Sequence, residues 1–292
     1  MLPKKIWMKK RSPSAPEMPE GDTIWRAART LHRGLAGKSV TQFETVLPQL
    51  ARVEQDSAVT GRTVDSVTAS GKWMEIRFSG DLVLLTHMLM SGSWHIYRPG
   101  EQWRRSRYHM RIVIGTEDLV AVAFNVPVAE FHTPESLSRR EGYNKLGPEL
   151  LHIDFDPAAA VASLRLHPEM EIGSALLKQS VMAGLGNVFK SEVCFVCRIH
   201  PFRRIESLSS SDLERIVSTA QKLMKMNVSA ASGNRIVTYT GLRRTTGRSD
   251  PTARLWVYGR AGERCRICGS AIVSRKQGPE VRTTFWCARC QS

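Results

Sequence analysis

Between residues 23 and 35 the apolar side chains Ile24, Ala27, Ala28, Leu31 and Leu35 return every three or four positions, which lines one face of an α-helix. Gly37 stands just beyond this run, and Asp22 or Thr23 is the predicted N-terminal cap. The period then drops to two. Met74, Ile76 and Phe78 alternate with Glu75 and Arg77, Ser79-Gly80-Asp81 supplies turn residues, and an apolar run follows from Leu82 to Leu85, which predicts a β-hairpin. Met110, Ile112 and Ile114 predict a further strand. Up to about residue 150 the pattern is that of a β-rich domain with one helix at its start.

After Gly147-Pro148 the helical period returns. Helices are predicted over 158–166 and 174–182, then a glycine-rich turn over 183–187 and a longer helix from 212 to 226. That last helix shows Leu213, Ile216, Val217, Ala220 and Leu223 on one face, and Ser211 to Glu214 has the form of a capping box. Residues 233–254, rich in Gly, Thr and Arg, predict a long exposed loop, and the chain closes in a cysteine-bearing hairpin over 265–290. No internal repeat is found.

A chain of 292 residues accommodates two domains and a small accessory unit. Its 42 Lys and Arg against 27 Asp and Glu give a net charge of +15, which favours a polyanionic partner, nucleic acid before an acidic membrane surface. Residues 1–17 hold five of the cations and Glu17, three prolines and no apolar stretch, so they predict an unstructured tail and not a signal peptide. Without them the charge is still +11, so the basic character belongs to the body. No run approaches eighteen apolar residues, which predicts a protein without a membrane span.

Cys265, Cys268, Cys287 and Cys290 form C-x2-C-x18-C-x2-C, a spacing with which two tight turns present four thiolates to one tetrahedral zinc. No coordination position is left open, so the ion is predicted to be structural. Cys194 and Cys197 lie among Val193, Phe195 and Val196 and predict core residues. Such usage points to a reducing compartment. Arg275, Lys276, Arg282 and Arg289 with Phe285 and Trp286 make the finger either a phosphate-facing surface or a solvated basic face. Gly184-Leu185-Gly186-Asn187 before a helix carrying Lys190 has the form of a phosphate-binding turn, and of an ordinary turn as well. Lys72, after Gly71, is on its own a solvated lysine.

Taken in order, Met18-Pro19-Glu20-Gly21-Asp22-Thr23, Ser70-Gly71-Lys72, His87-Met88-Leu89-Met90-Ser91-Gly92, Gly184-Leu185-Gly186-Asn187 with Ile199-His200-Pro201, Val257-Tyr258-Gly259-Arg260, and the cysteine-bearing stretch from Arg282 to Gln291 resemble the formamidopyrimidine-DNA glycosylase and endonuclease VIII family. The resemblance spans 18–292 and implies an α+β multidomain fold: a β-sandwich with an N-terminal helix, a helix-two-turn-helix domain and a zinc-finger hairpin, with DNA across the cleft between them. The corresponding expected domains are an unstructured extension at 1–17 absent from the mature protein, a catalytic sandwich at 18–150, a helical DNA-binding domain at 151–254 and a zinc finger at 255–292. It further implies a base-excision-repair enzyme, a glycosylase and AP lyase. Pro19 matches the amine nucleophile, Glu20 the acid/base residue, Lys72 a lysine on the phosphate near the lesion, Asn187 and Arg282 backbone-phosphate contacts, and Met90 the residue that fills the gap left by an everted nucleotide. Catalytic roles are thus expected at Pro19, Glu20, Lys72 and Arg282.

Two departures shape these expectations. Pro19 is an amine only if nothing precedes it, so translation is expected to begin at Met18, with that methionine removed; otherwise the chain is a non-catalytic damaged-DNA-binding paralogue. Where purine-type members carry Asp-Pro-Arg-Arg-Phe, this chain has Asn125-Val126-Pro127-Val128-Ala129-Glu130-Phe131, and its segment between Gly241 and Leu255 is shorter than the loop that closes over 8-oxoguanine. Both resemble the endonuclease VIII branch and its oxidised pyrimidines, with a purine-type enzyme as the alternative within the class. A zinc-ribbon RNA-binding protein is the reading that composition alone leaves open. The expected partner is damaged double-stranded DNA, with single-stranded or bubble DNA as further substrates, bound by a monomer in the cytoplasm at the nucleoid.

Overall fold

In the computed structural model the described residues are 19–229, 244–246 and 254–292. The expected extension at 1–17, Met18 and most of the predicted loop at 233–254 lie outside them. Of that loop, Thr245 is described and is buried, with its backbone N–H donating to the Arg254 carbonyl at 2.8 Å.

Helix α1 (Gly21–Leu35) lays Ile24, Ala28, Leu31 and Leu35 against a sandwich of two four-stranded antiparallel sheets. One sheet runs β1 (Gln42–Thr45), β6 (Met110–Gly115), β7 (Val120–Phe124), β5 (Ser93–Tyr97) in spatial order. The other runs β2 (Val64–Ser70), β3 (Trp73–Phe78), β4 (Leu82–His87), β8 (Val128–His132). Met74, Ile76, Leu84, Ile112, Ile114, Ala121 and Ala123 fill the space between them, the inward half of each alternating pattern. The predicted hairpin pairs Trp73 with His87 through Phe78 with Leu82, and Gly80 and Asp81 turn it at φ of 74° and 58°. Two short helices, α2 (Pro48–Asp56) and α3 (Pro134–Ser138), flank the sandwich. The first cap is corrected. Glu20, in extended conformation, is the N-cap of α1 and donates no side chain to it, while Asp22 and Thr23 already lie inside the first turn.

The second half packs α4 (Pro157–Arg165), α5 (Ile172–Ala175), α6 (Asn187–Val196) and α7 (Ser210–Ser229) around Leu164, Ile172, Phe189, Val193, Ile216 and Ala220. Cys194 and Cys197 are buried in this core. The helix expected over 174–182 is instead the end of α5 followed by turns, because tertiary bonds claim its backbone: Gly147 N–H donates to the Gln179 carbonyl at 2.9 Å and Ala183 N–H to the Pro148 carbonyl at 3.0 Å. The capping box is also displaced. Ser209 and Asp212 exchange it, Asp212 N–H donating to Ser209 Oγ at 3.1 Å and Ser209 N–H to Asp212 Oδ2 at 3.2 Å, which starts α7 at Ser210, two residues before the expected 212. A hairpin of β9 (Ile272–Gln277) and β10 (Arg282–Cys287) ends the chain. No helix among the described residues is long and apolar enough to cross a membrane.

Leu84 is fully buried between the sheets. Leu84→Ala is expected to lower the unfolding free energy by about 2–5 kcal/mol, read from urea denaturation followed by tryptophan fluorescence.

Candidate active site between sandwich, helices and finger

Helix α6 starts with a glycine at its cap, so its first N–H groups need acceptors from elsewhere. The acceptor is Glu20. Its Oε1 receives Val188 N–H at 2.7 Å, and its Oε2 receives Gly186 N–H at 3.1 Å and Phe189 N–H at 3.3 Å. The positive end of the helix and three donors thus surround a fully buried carboxylate, a setting that suits an anion. Two glycines permit the approach. A Cβ on Gly186 would lie 2.3 Å from Glu20 Cδ, and one on Gly21 would lie 2.7 Å from Gly184 Cα. The Gly21 N–H donates to the Gly184 carbonyl at 2.8 Å, and Gly184 holds φ of +100°, so the start of α1 is pinned to the glycine-rich turn. Pro19, immediately before Glu20, is buried as well.

Lys72 stands on the turn between β2 and β3, half-buried. Gly71 before it adopts φ of +58° and donates its N–H to Glu149 Oε2 at 3.1 Å. Burial raises the Glu149 carboxyl above its usual range even against that hydrogen bond. A Cβ on Gly71 would lie 3.3 Å from Ala183 Cβ, so this turn packs beside the same glycine-rich segment. The β4–β5 turn on the same end of the sandwich carries Leu89 and Met90, 44% and 55% exposed. It is braced by His87, whose Nδ1 accepts Leu89 N–H at 3.0 Å. Burial first, then Lys72 and Arg140, lower the His87 pKa to about 4, so at neutral pH that nitrogen keeps its lone pair.

The finger docks on α6 through polar groups. Asn187 Nδ2 donates to the Thr283 carbonyl at 2.8 Å, while its buried Oδ1 has no hydrogen-bond partner. The fully buried Lys190 donates from Nζ to Thr284 Oγ1 at 2.6 Å; Thr284 in turn donates to Gln277 Oε1 at 2.7 Å. Burial lowers the Lys190 pKa to about 8 despite the nearby Glu20 carboxylate. Glu192, also fully buried, accepts Val257 and Tyr258 N–H on Oε1 at 2.9 and 2.8 Å and Trp256 N–H on Oε2 at 2.8 Å, besides the Thr245 hydroxyl. Arg282, partly exposed on β10, pairs with Glu280 at 3.0 Å.

The four cysteines at 265, 268, 287 and 290 converge, their sulfurs all within 4.8 Å of one another. Sγ of Cys268 and Cys287 are 3.4 Å apart and those of Cys265 and Cys290 3.8 Å. Zn–S bonds of about 2.3 Å in a tetrahedron require sulfurs about 3.8 Å apart, so the donor set fits zinc in both chemistry and size.

The structure therefore gathers Glu20, the Lys72 turn, Asn187 and the Arg282 strand around one junction, with Met90 on the sandwich rim. Sequence reasoning passed over Glu149 and Glu192. The second carried a signal: it is an acid in a helix whose neighbours Val193, Cys194 and Phe195 are apolar, a place where an acid is kept only with partners.

Comparison with known proteins agrees with this layout. The formamidopyrimidine-DNA glycosylase N-terminal domain matches residues 18–127, and the formamidopyrimidine-DNA glycosylase H2TH domain matches 146–238. A probable endonuclease 8 2 of Streptomyces coelicolor is 38% identical over 278 residues, covering 94% of both chains. This chain belongs to the formamidopyrimidine-DNA glycosylase and endonuclease VIII family. A DNA-(apurinic or apyrimidinic site) lyase Nei2 of Mycolicibacterium smegmatis is 34% identical over 94% of this chain and 99% of its own. Lactococcus lactis Fpg, solved in complex with DNA containing an abasic site, superposes with a TM-score of 0.75 at 26% identity, covering 94% of this chain and 98% of that one.

Two outcomes follow for this family member. Gly186→Ala is expected to push the Glu20 carboxylate off the helix end and, by leaving buried N–H groups without their acceptor, to lower the unfolding free energy by about 1–3 kcal/mol, read from urea denaturation. Lys190 binds its proton less tightly in the folded chain than in the unfolded one, where its pKa is about 10.4. The unfolded state therefore holds more protons between about pH 8 and 10.4, and the cost of burying the ammonium, present in full below pH 8, is relieved as pH rises through that window. Urea denaturation at pH 7 and pH 9.5 is expected to show the native chain gaining stability relative to Lys190→Met at the higher pH.

Proposed function

We propose that this protein is a bifunctional DNA glycosylase and AP lyase of base excision repair, which releases oxidised bases, chiefly pyrimidines, and cuts the strand by β,δ-elimination through an iminium ion at Pro19. The observation that carries the reading is the Glu20 carboxylate, buried beside Pro19 and held by three N–H groups where sandwich, helices and finger meet. The active form begins at Pro19, with Met18 as the removed initiator. The family match starting at residue 18 supports that choice, because in the chain as written the Pro19 nitrogen is an amide.

The secondary amine attacks C1′ of the damaged nucleotide, the bond to the base breaks, and the base leaves with the electron pair and takes up a proton. Glu20 accepts the amine proton and delivers one to the ring oxygen as the sugar opens, leaving a C1′ iminium. Loss of a C2′ proton expels the 3′ phosphate, a second elimination expels the 5′ phosphate, and water frees the amine. An ionised carboxylate close to the cation stabilises it throughout. Lys72, Asn187 and Arg282 grip phosphates around the lesion, and Met90 fills the gap left by the everted nucleotide. The four cysteines hold one structural zinc, whose chemistry is confined to fixing the finger. The partner is damaged duplex DNA, bound by a monomer at the nucleoid, with single-stranded or bubble DNA as further substrates. The endonuclease 8 relatives, and a β7–β8 turn built from Asn125, Val126 and Pro127 in place of arginines, support pyrimidine lesions.

Borohydride trapping on abasic-site DNA tests this with the full chain, a chain starting at Pro19, and its Pro19→Ala variant. Only the Pro19 form is expected to crosslink. If all three bind the DNA and none crosslinks, the protein is a binding paralogue and the catalytic reading falls.

A further inference from the structure

One end of the sandwich carries more than the Lys72 turn and the Met90 wedge. Stepping through neighbouring strands from β3 to β4, across the wedge turn to β5, then to β7 and β6, the same end is reached each time: Trp73 pairs with His87, Ser93 with Phe124, and Phe124 with Met110. Just before Met110 lies a 3-10 turn, Arg107–His109. Its Tyr108 is 82% exposed. Strand β6 lies two strand spacings, about 10 Å, from β5, in the sheet that faces the one carrying Lys72.

An exposed ring on a floppy loop is commonplace, but this one stands on a fixed base. Ser106 Oγ accepts Tyr108 N–H at 3.3 Å, and the Tyr108 carbonyl accepts from Arg111 at 3.2 Å. His109 is bound to Asn125 through both side chains, at 3.0 Å, and through Asn125 N–H to the His109 carbonyl, at 2.8 Å; Asn125 holds φ of +50° to do so. Arg107 pairs with Glu44 at 2.6 Å and lies over the Trp103 ring, which packs on the outer face of the sheet. The flanking stretch is strongly basic, with Arg98, Arg104, Arg105, Arg107 and Arg111 against Glu101.

We infer that Tyr108 is a stacking platform for the complementary strand opposite the lesion, its ring taking the base left without a partner while the surrounding arginines hold that strand's phosphates. The inference rests on the proposed function, which places the damaged strand at Lys72 and Pro19 and so leaves the other strand to this turn on the facing sheet. Rigidity matters because a ring on a fixed backbone, edge-on to the His109 ring at 5.4 Å, loses less freedom when a base stacks on it, and base–aromatic stacking tolerates any base.

The test uses the full chain, since binding does not require a free Pro19. The probes are a duplex holding a tetrahydrofuran abasic analogue opposite 2-aminopurine, and the tetrahydrofuran strand alone. Tyr108→Ala is expected to bind the duplex about 5- to 100-fold more weakly, as the loss of one stacked base implies, and to lose the 2-aminopurine quench; Tyr108→Phe keeps both. Binding to the single strand is expected to be the same for all three proteins. Unchanged duplex binding by Tyr108→Ala, or an equal loss on the single strand, overturns the inference while leaving the proposed function standing. Failure of the unaltered chain to bind the lesion duplex overturns both.

Discussion

The first turn of α6 cannot satisfy its own N–H groups, and the carboxylate that does so belongs to a residue 166 positions earlier. Much of the molecule is arranged around that contact. It needs Gly186 to be bare, Gly21 to meet Gly184 backbone to backbone, and Gln179 to shape the glycine-rich turn by accepting Gly184 N–H at 3.0 Å and donating to the Leu185 carbonyl at 2.9 Å. One anion on one helix end thereby joins the β-rich half to the helical half, and does so at the residue beside Pro19. A helix N-terminus accepts an anion readily; here the anion supplied is the protein's own.

The rest of α6 repeats the principle with other groups. Lys190 and Glu192, like Glu20, are fully buried, and burying an ion costs several kcal/mol unless hydrogen bonds replace its water. Glu192 recovers this with three backbone N–H groups and a hydroxyl from the segment leading into the finger. Lys190 recovers less, which is why burial depresses its pKa despite Glu20. What such contacts give in exchange is direction: an apolar face would let the finger slide on α6, whereas a carboxylate bound by Trp256, Val257 and Tyr258 N–H groups has one arrangement that satisfies it.

Local pattern explains what was legible in the sequence. The α1 stripe, the hairpin around Gly80-Asp81, the core cysteines Cys194 and Cys197, and the four-cysteine spacing each depend on residues close together in the chain, and each appears in the fold. Residues 174–182 carry a helical pattern too, yet the Gln179 carbonyl is taken by Gly147 N–H, a consequence of packing against a distant segment, while the Gln179 side chain turns the chain at Gly184. The serine run 209–211 offered two registers for one capping box, and only the aspartate at 212, short enough to reach back, decides for Ser209. Glu20 and Asn187 were legible through motif order. Their joint geometry was not, since nothing near either residue encodes the other.

The finger shows why the site needs two kinds of anchor. A two-stranded hairpin is marginally stable alone, and β9–β10 has six residues per strand. At one end the strands close on the cysteines, whose sulfur spacing suits a single ion; towards the other they meet α6 through Thr283, Thr284 and Phe285. Arg282 lies at the α6 end, five residues before Cys287, so the sulfur cluster alone does not fix the strand there. There the strand is held by the Thr283 carbonyl on Asn187 and the Thr284 hydroxyl on Lys190, the same helix whose first turn grips Glu20. The strand that carries Arg282 and the carboxylate beside Pro19 are therefore positioned from one rigid element, and a shift of α6 moves both together.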